Sequence, residues 1–162
     1  MKRALLEEIN NNEQEVRKNL DYHQGLRDSL LRFREIFERD SLYEGSPNEA
    51  FRYWRGTRMG KLPYGAYQAA LSSGVLTELP IDLLTDISNL YIAQENYDRL
   101  GINYLDDFTN FNSQSSLIDI LMLMNAFTLD AVYAEQELLN YMQLLQNRLE
   151  GQSREEREGA GD

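Results

Sequence analysis

No cysteine occurs in the 162 residues, which removes disulfides, thiolate metal sites and thiol nucleophiles together. That absence fits the cytoplasm and an oxidising compartment equally well. Histidine occurs once, at His23. A di-iron bundle takes a Glu-x-x-His motif from each of two helices and zinc hydrolases usually take two or three histidines, so neither centre can be built from this chain. The Gly-x-Ser-x-Gly turn of serine hydrolases is missing, and Gly56 and Gly60 lack the Gly-Lys-Ser/Thr ending of a phosphate loop. The sequence therefore predicts a protein that is not an enzyme and holds no metal or cofactor.

Long apolar runs are also missing. The richest stretch, residues 117–127, is interrupted by Asp119 and Asn125 and falls short of the roughly 20 apolar residues of a membrane span. At the start of the chain Glu7 and Glu8 arrive before any run of signal-peptide length can form, so a soluble chain without a targeting segment is expected. Basic residues are scarce as well, with 16 lysines and arginines against 27 acids and a net charge of −11. Nucleic acid and anionic lipid, which need a basic surface, are excluded as general partners.

What remains is a helical pattern. A 42% hydrophobic content supports one core, and residues 1–150 read as a single helical-bundle domain followed by a disordered acidic tail over residues 151–162. Residues 2–40 contain no proline and carry an apolar row at Leu5, Ile9, Val16, Leu20, Leu26, Leu30, Phe33 and Phe37. Steps of three, four and seven put that row on one side of a long helix. Asn10, Asn11 and Asn12 make its first third more polar, and an asparagine on such a seam can set register in a coiled coil, which keeps self-association open. Ser46-Pro47-Asn48-Glu49 matches a capping box and predicts a short helix over residues 47–55.

Pro63 and Gly74 bracket a second short helix, residues 63–73, with Tyr67, Ala70 and Leu71 on one face and small residues at Gly65, Ala66 and Ala69. This plug is expected to pack among the longer helices. From Pro80 to Phe111 a heptad seam runs through Leu83, Ile87, Leu90, Gln94, Tyr97, Gly101, Tyr104, Phe108 and Phe111, where Gly101 admits either a close neighbour or a kink. A last helix over residues 116–150 continues Ile120, Met124, Phe127, Ala131, Ala134, Leu138, Tyr141 and Leu145 on one face and ends at Gly151. No stretch alternates with the period of a strand. The predicted class is all-α: an antiparallel helical bundle of three long helices, with two short helices between the first and second.

One basic island stands out in this acidic chain. Arg52, Arg55, Arg58 and Lys61 recur at steps of three, with Trp54, the only tryptophan, among them and no acid between. Arginine beside aromatics suits a protein interface, and guanidinium groups can clamp a small anion bidentately. Against this stands a structural role, with Phe51, Tyr53 and Trp54 anchoring the short helix while the arginines pair with the acidic surface of residues 78–107. Similarly, the ten tyrosines, Tyr64, Tyr67, Tyr91, Tyr97, Tyr104, Tyr133 and Tyr141 among them, can line a ligand pocket or border the core with wet hydroxyls. His23 reads as a structural histidine without a visible partner.

The pattern of Pro63, Tyr67, Ser73-Gly74-Val75-Leu76, Pro80, Asp82-Leu83-Leu84 and Tyr91 resembles a loose group of uncharacterised bacterial proteins. In that group a first helix rich in Leu-x-x-Glu-Ile/Leu and asparagine follows a single N-terminal membrane helix, and the helical domain sits outside the cytoplasm. The likeness covers residues 5–97, rests on helix punctuation, and departs where the membrane helix is absent from this chain. It implies a membrane-proximal, extracytoplasmic setting and carries over no site residues. Together these observations predict a non-enzymatic interaction or scaffold domain with a protein partner, or a bundle that senses a small anion through Arg52, Trp54, Arg55, Arg58 and Lys61.

Overall fold

The structure, a computed structural model, describes residues 1–39, 52, 54–110 and 116–158; of residues 36–38, 117 and 152–158 it describes the backbone alone. Its elements are α1 (Lys2–Arg39), α2 (Gly65–Ser72), a 3-10 turn (Val75–Glu78), α3 (Ile81–Thr109) and α4 (Leu117–Glu158). Every regular element among the described residues is helical. None of these helices is long and apolar enough to cross a membrane.

Each long helix buries a seam whose steps alternate between four and three, the period that keeps one face turned to a partner helix. On α1 the seam is Leu5, Ile9, Asn12, Val16, Asn19, His23, Leu26, Leu30 and Phe33. The apolar row read from the sequence skipped three of these residues and took Leu20, which is only half-buried, in their place. On α3 the seam runs through Leu83, Ile87, Leu90, Gln94, Tyr97 and Gly101, as the sequence pattern predicts. On α4 it is Met124, Thr128, Ala131, Glu135, Leu138, Met142, Leu145 and Leu149. Polar side chains thus occupy seam positions on all three helices.

Side-chain pairs join the long helices to one another. Glu8 with Tyr91, Asn12 with Gln94 and Asn19 with Tyr97 rise together along α1 and α3. Asn10 meets Gln146 and His23 meets Glu135 between α1 and α4. Tyr104 with Asp130 and Asp86 with Arg148 join α3 to α4.

The ends of the elements show what punctuates them. Gly74 ends the α2 turn in the left-handed conformation, at φ 74°, where the Cβ of any other residue would be strained. Pro80 stands one residue before α3 as its cap. At the start of α4, Ser116 Oγ accepts from the Asp119 backbone N–H at 3.1 Å and the Asp119 carboxylate accepts from the Ser116 N–H at 3.2 Å, a reciprocal capping box. That hydrogen bonding holds the Asp119 carboxyl below the usual carboxylate range.

Three boundaries differ from the sequence reading. The short helix expected over residues 47–55 lies mostly outside the described residues; of those described, Arg52 is in a 3-10 turn and Trp54 and Arg55 are not helical. The second short helix starts at Gly65 rather than Pro63, because the Pro63 carbonyl is already engaged by α1 and α3. Finally, α4 passes through Gly151 and continues to Glu158.

Candidate functional site

Residues 54–64 form a strap without regular secondary structure. Its Met59 and Leu62 are buried against the helices. A buried irregular segment cannot satisfy its own backbone, so donors must come from elsewhere. They come from the polar residues of α1 and α3. Tyr22 donates its hydroxyl to the Gly56 carbonyl at 3.0 Å and accepts the Arg55 N–H at 2.8 Å. His23 Nε2 lies 2.8 Å from the Thr57 carbonyl. Farther along, Gln94 Nε2 donates to the Leu62 and Pro63 carbonyls at 3.0 and 3.1 Å, and Asn12 Nδ2 donates to Pro63 at 2.7 Å. The strap turns through two positive φ values, 80° at Gly56 and 50° at Arg58. Gly101 lets it come close, since a Cβ there would stand 2.6 Å from Met59 Cβ and 2.9 Å from its carbonyl oxygen.

Beneath the strap lies a buried polar network. His23 Nδ1 is 2.7 Å from Glu135 Oε1, and both side chains are fully buried. Tyr97 donates its hydroxyl to the same Oε1 at 3.0 Å, and Asn19 Nδ2 donates to the Tyr97 oxygen at 3.3 Å. Burial, with the Glu135 charge beside it, pushes the Tyr97 hydroxyl well above the ordinary phenol range, so it remains a donor. Phe127 closes the network edge-on to His23, with ring centroids 5.2 Å apart.

Glu8 makes the third attachment. Its carboxylate accepts the backbone N–H groups of Ala66 and Tyr67 at 2.7 and 3.3 Å and the Tyr91 hydroxyl at 2.6 Å. A side chain of α1 therefore caps the N-terminus of α2, whose own cap residue, Tyr64, makes no side-chain bond. Tyr91, with Glu8 against it and its ring mostly enclosed, is also held far above the usual phenol range, burial being the larger cause.

Between the strap, α2 and α3 opens a groove of about 530 Å³. Stacked rings of Tyr67 and Tyr91, 4.0 Å apart and 10° from parallel, form part of its wall. Met59, Leu71 and Ile102 supply apolar surface, while Lys61, Arg99, Glu95 and Asp98 bring charges of both signs. Burial raises the Asp98 carboxyl above its ordinary value and the Glu95 charge adds to this; the Leu62 N–H and Lys61 oppose the shift.

The basic island is spread out rather than gathered. Trp54 packs on Phe108 and Phe127, with centroid distances of 4.7 and 5.6 Å, so the tryptophan anchors the strap to the bundle. Arg52 and Arg55 are exposed. Exposed Arg58 places its guanidinium 5.3 Å from the Tyr22 ring centre. Lys61 lies over the Tyr64 ring at 4.7 Å and is the one member of the island on the groove. A spacing of three collects side chains on one face only in a helix, and residues 54–64 are not helical.

Among the described residues no three His, Asp or Glu side chains converge on a metal position. No protein-family model, curated protein or solved structure matches the chain.

Proposed function

We propose that this protein is a non-enzymatic interaction module whose binding face is the groove beside the strap. We further infer an antiparallel bundle of three long helices in which α4 runs against both α1 and α3. The observation that carries the functional reading is the groove itself: an open, mainly apolar cleft with a stacked tyrosine pair in its wall and charges of both signs at its rim. That mixture suits a short segment of a protein partner with apolar and charged side chains in alternation. It suits a small anion less well, because Glu95 and Asp98 offset Lys61 and Arg99, and Arg52, Arg55 and Arg58 are not among the lining residues. A partner of this kind is compatible with the membrane-proximal setting that the bacterial resemblance implies.

The test is a titration followed by amide NMR, with short synthetic peptides that combine Leu or Phe with Lys and Glu, and with phosphate and citrate as the anion arm. Peptide-induced shifts clustered around Tyr67, Tyr91 and Ile102, and abolished in Ile102→Asp, support the reading. Shifts from the anions alone, centred on Lys61 and Arg99, replace the partner with a small anion. Silence in both arms overturns the groove as a binding site.

A further inference from the structure

We infer that His23 and Glu135 form a proton-held clasp for the first half of the strap, and that this clasp regulates the groove; the second half of that statement rests on the binding site proposed above. The inference follows from a count of donors. Thr57 offers His23 Nε2 a carbonyl, which only accepts, so Nε2 carries a hydrogen. The other ring nitrogen faces Glu135 Oε1, which already accepts the Tyr97 hydroxyl. With the strap closed, one proton must therefore lie between Nδ1 and Oε1, and the pair is neutral overall whichever atom holds it. Without that proton, a nitrogen lone pair would face a carboxylate oxygen at 2.7 Å in a fully buried site that holds a net negative charge. A second proton fares no better, since Glu135 Oε2 is buried with no hydrogen-bond partner among the described residues. Closed strap and single shared proton go together.

The groups around the pair permit this linkage to be isolated. From α1 Tyr22 lies beside it and Asn19 reaches it only through the Tyr97 hydroxyl, from α3 it faces Tyr97, and from α4 the uncharged Phe127 ring. The strap presents the Thr57 carbonyl, and the Arg58 guanidinium sits over the Tyr22 ring. Asp98, the next residue on α3, also raises Tyr97. Burial raises both Tyr22 and Tyr97, so neither hydroxyl loses its proton between neutral and mildly alkaline pH.

Freeing Thr57 alters the groove because Met59, two residues on, lines it and packs onto Gly101. The second half of the strap stays fastened, as Asn12, Gln94 and Glu8 hold residues 62–67 independently of His23. Opening is therefore confined to residues 54–60.

The experiment is hydrogen exchange of strap amides in the full chain from pH 6 to pH 10, with the intrinsic pH dependence of exchange divided out. Opening of residues 55–60 is expected to rise toward about tenfold per pH unit as the shared proton leaves, while residues 65–68 show no such rise. In Glu135→Gln the amide can donate to Nδ1 of a neutral imidazole, so the strap stays closed and the rise disappears. A strap whose corrected opening does not change with pH, or changes equally in wild type and Glu135→Gln, overturns the clasp. Imidazole 15N shifts of His23 give a second reading, because Nε2 must remain protonated across the closed range. The peptide titration repeated at pH 7 and pH 10 tests regulation separately: weaker peptide binding only where the strap opens supports it, and equal binding overturns it. Binding of no peptide at either pH removes the groove while leaving the clasp standing on the exchange data.

Discussion

Glycine marks where the strap touches the bundle, and two glycines with opposite surroundings make that claim measurable. Gly101 lies mid-helix against Met59, whereas Gly25 lies mid-helix with nothing within 4 Å of the Cβ position. Alanine favours a helix interior over glycine by about 1 kcal/mol. Gly25→Ala should therefore stabilise by about 0.5–1 kcal/mol in urea denaturation. Gly101→Ala should instead destabilise by roughly 1–3 kcal/mol, because the added methyl must push back strap backbone rather than a flexible side-chain end. Stabilisation in both variants would show that the strap yields freely at Met59. A second residue-scale prediction concerns Asp98. Its raised carboxyl means that the native state binds a proton more readily than the unfolded chain, so the charged form weakens the fold above that pKa and the penalty fades as pH falls through it. In Asp98→Asn the Leu62 N–H keeps an oxygen acceptor. The variant should be more stable than wild type at pH 7, by under about 1 kcal/mol for a half-exposed group, and equal to it near pH 3. A loss of stability at pH 7 would mean that attraction to Lys61 outweighs desolvation.

At the scale of elements, the sequence was most readable where the seam is apolar. On α3 every seam position from Leu83 to Gly101 was legible, including Gln94, because the four-and-three rhythm was followed through it. On α1 the same rhythm passes through Asn12, Asn19 and His23, and on α4 through Glu135, but a row counted on apolar residues alone steps around them. Asparagine on the α1 seam suggested register between chains, whereas Asn12 is spent on the Pro63 carbonyl of its own chain. The signal was present as periodicity; the partner was not, since an irregular strap leaves no period to read. The short plug was legible through Pro63 and Gly74, but its N-terminal cap was not, because Glu8 lies far away in sequence. That cap carries its own prediction. Glu8→Gln keeps one oxygen acceptor, turns an NH2 donor toward the other backbone N–H and loses the charge at the helix end, and should cost about 1–2 kcal/mol. Glu8→Ala orphans two backbone donors and should cost roughly 2 kcal/mol or more, with faster exchange at Ala66 and Tyr67 before any change at α3 or α4. Exchange that accelerates along all helices together would place α2 inside one cooperative unit with the bundle.

Across the whole molecule, the polar seam residues trade bundle stability for possession of the strap. Asn12 and Gln94 face each other at 3.3 Å in the interior, a place where leucines would pack and bury apolar surface. Replacing both partners of a buried hydrogen bond by apolar groups of the same shape is often nearly neutral or stabilising, and Asn12 Oδ1 is itself buried without a hydrogen-bond partner among the described residues. Here, however, the same amides supply the donors to Leu62 and Pro63. In Asn12→Leu/Gln94→Leu those two carbonyls lose every bond described above, at about 1–3 kcal/mol for each buried orphan, and they regain solvent only if the strap lifts. The helices and the strap should therefore part company. Thermal melting followed by helical circular dichroism is expected at the wild-type temperature or above, while trypsin cleavage after Lys61 accelerates by at least about tenfold, because cleavage follows the population of the open strap. If melting temperature and cleavage resistance fall together, the strap is a structural part of the core and no groove can open and close on a standing bundle. If neither changes, the amides are not what fastens the strap, and its attachment must rest on Met59, Leu62 and Trp54.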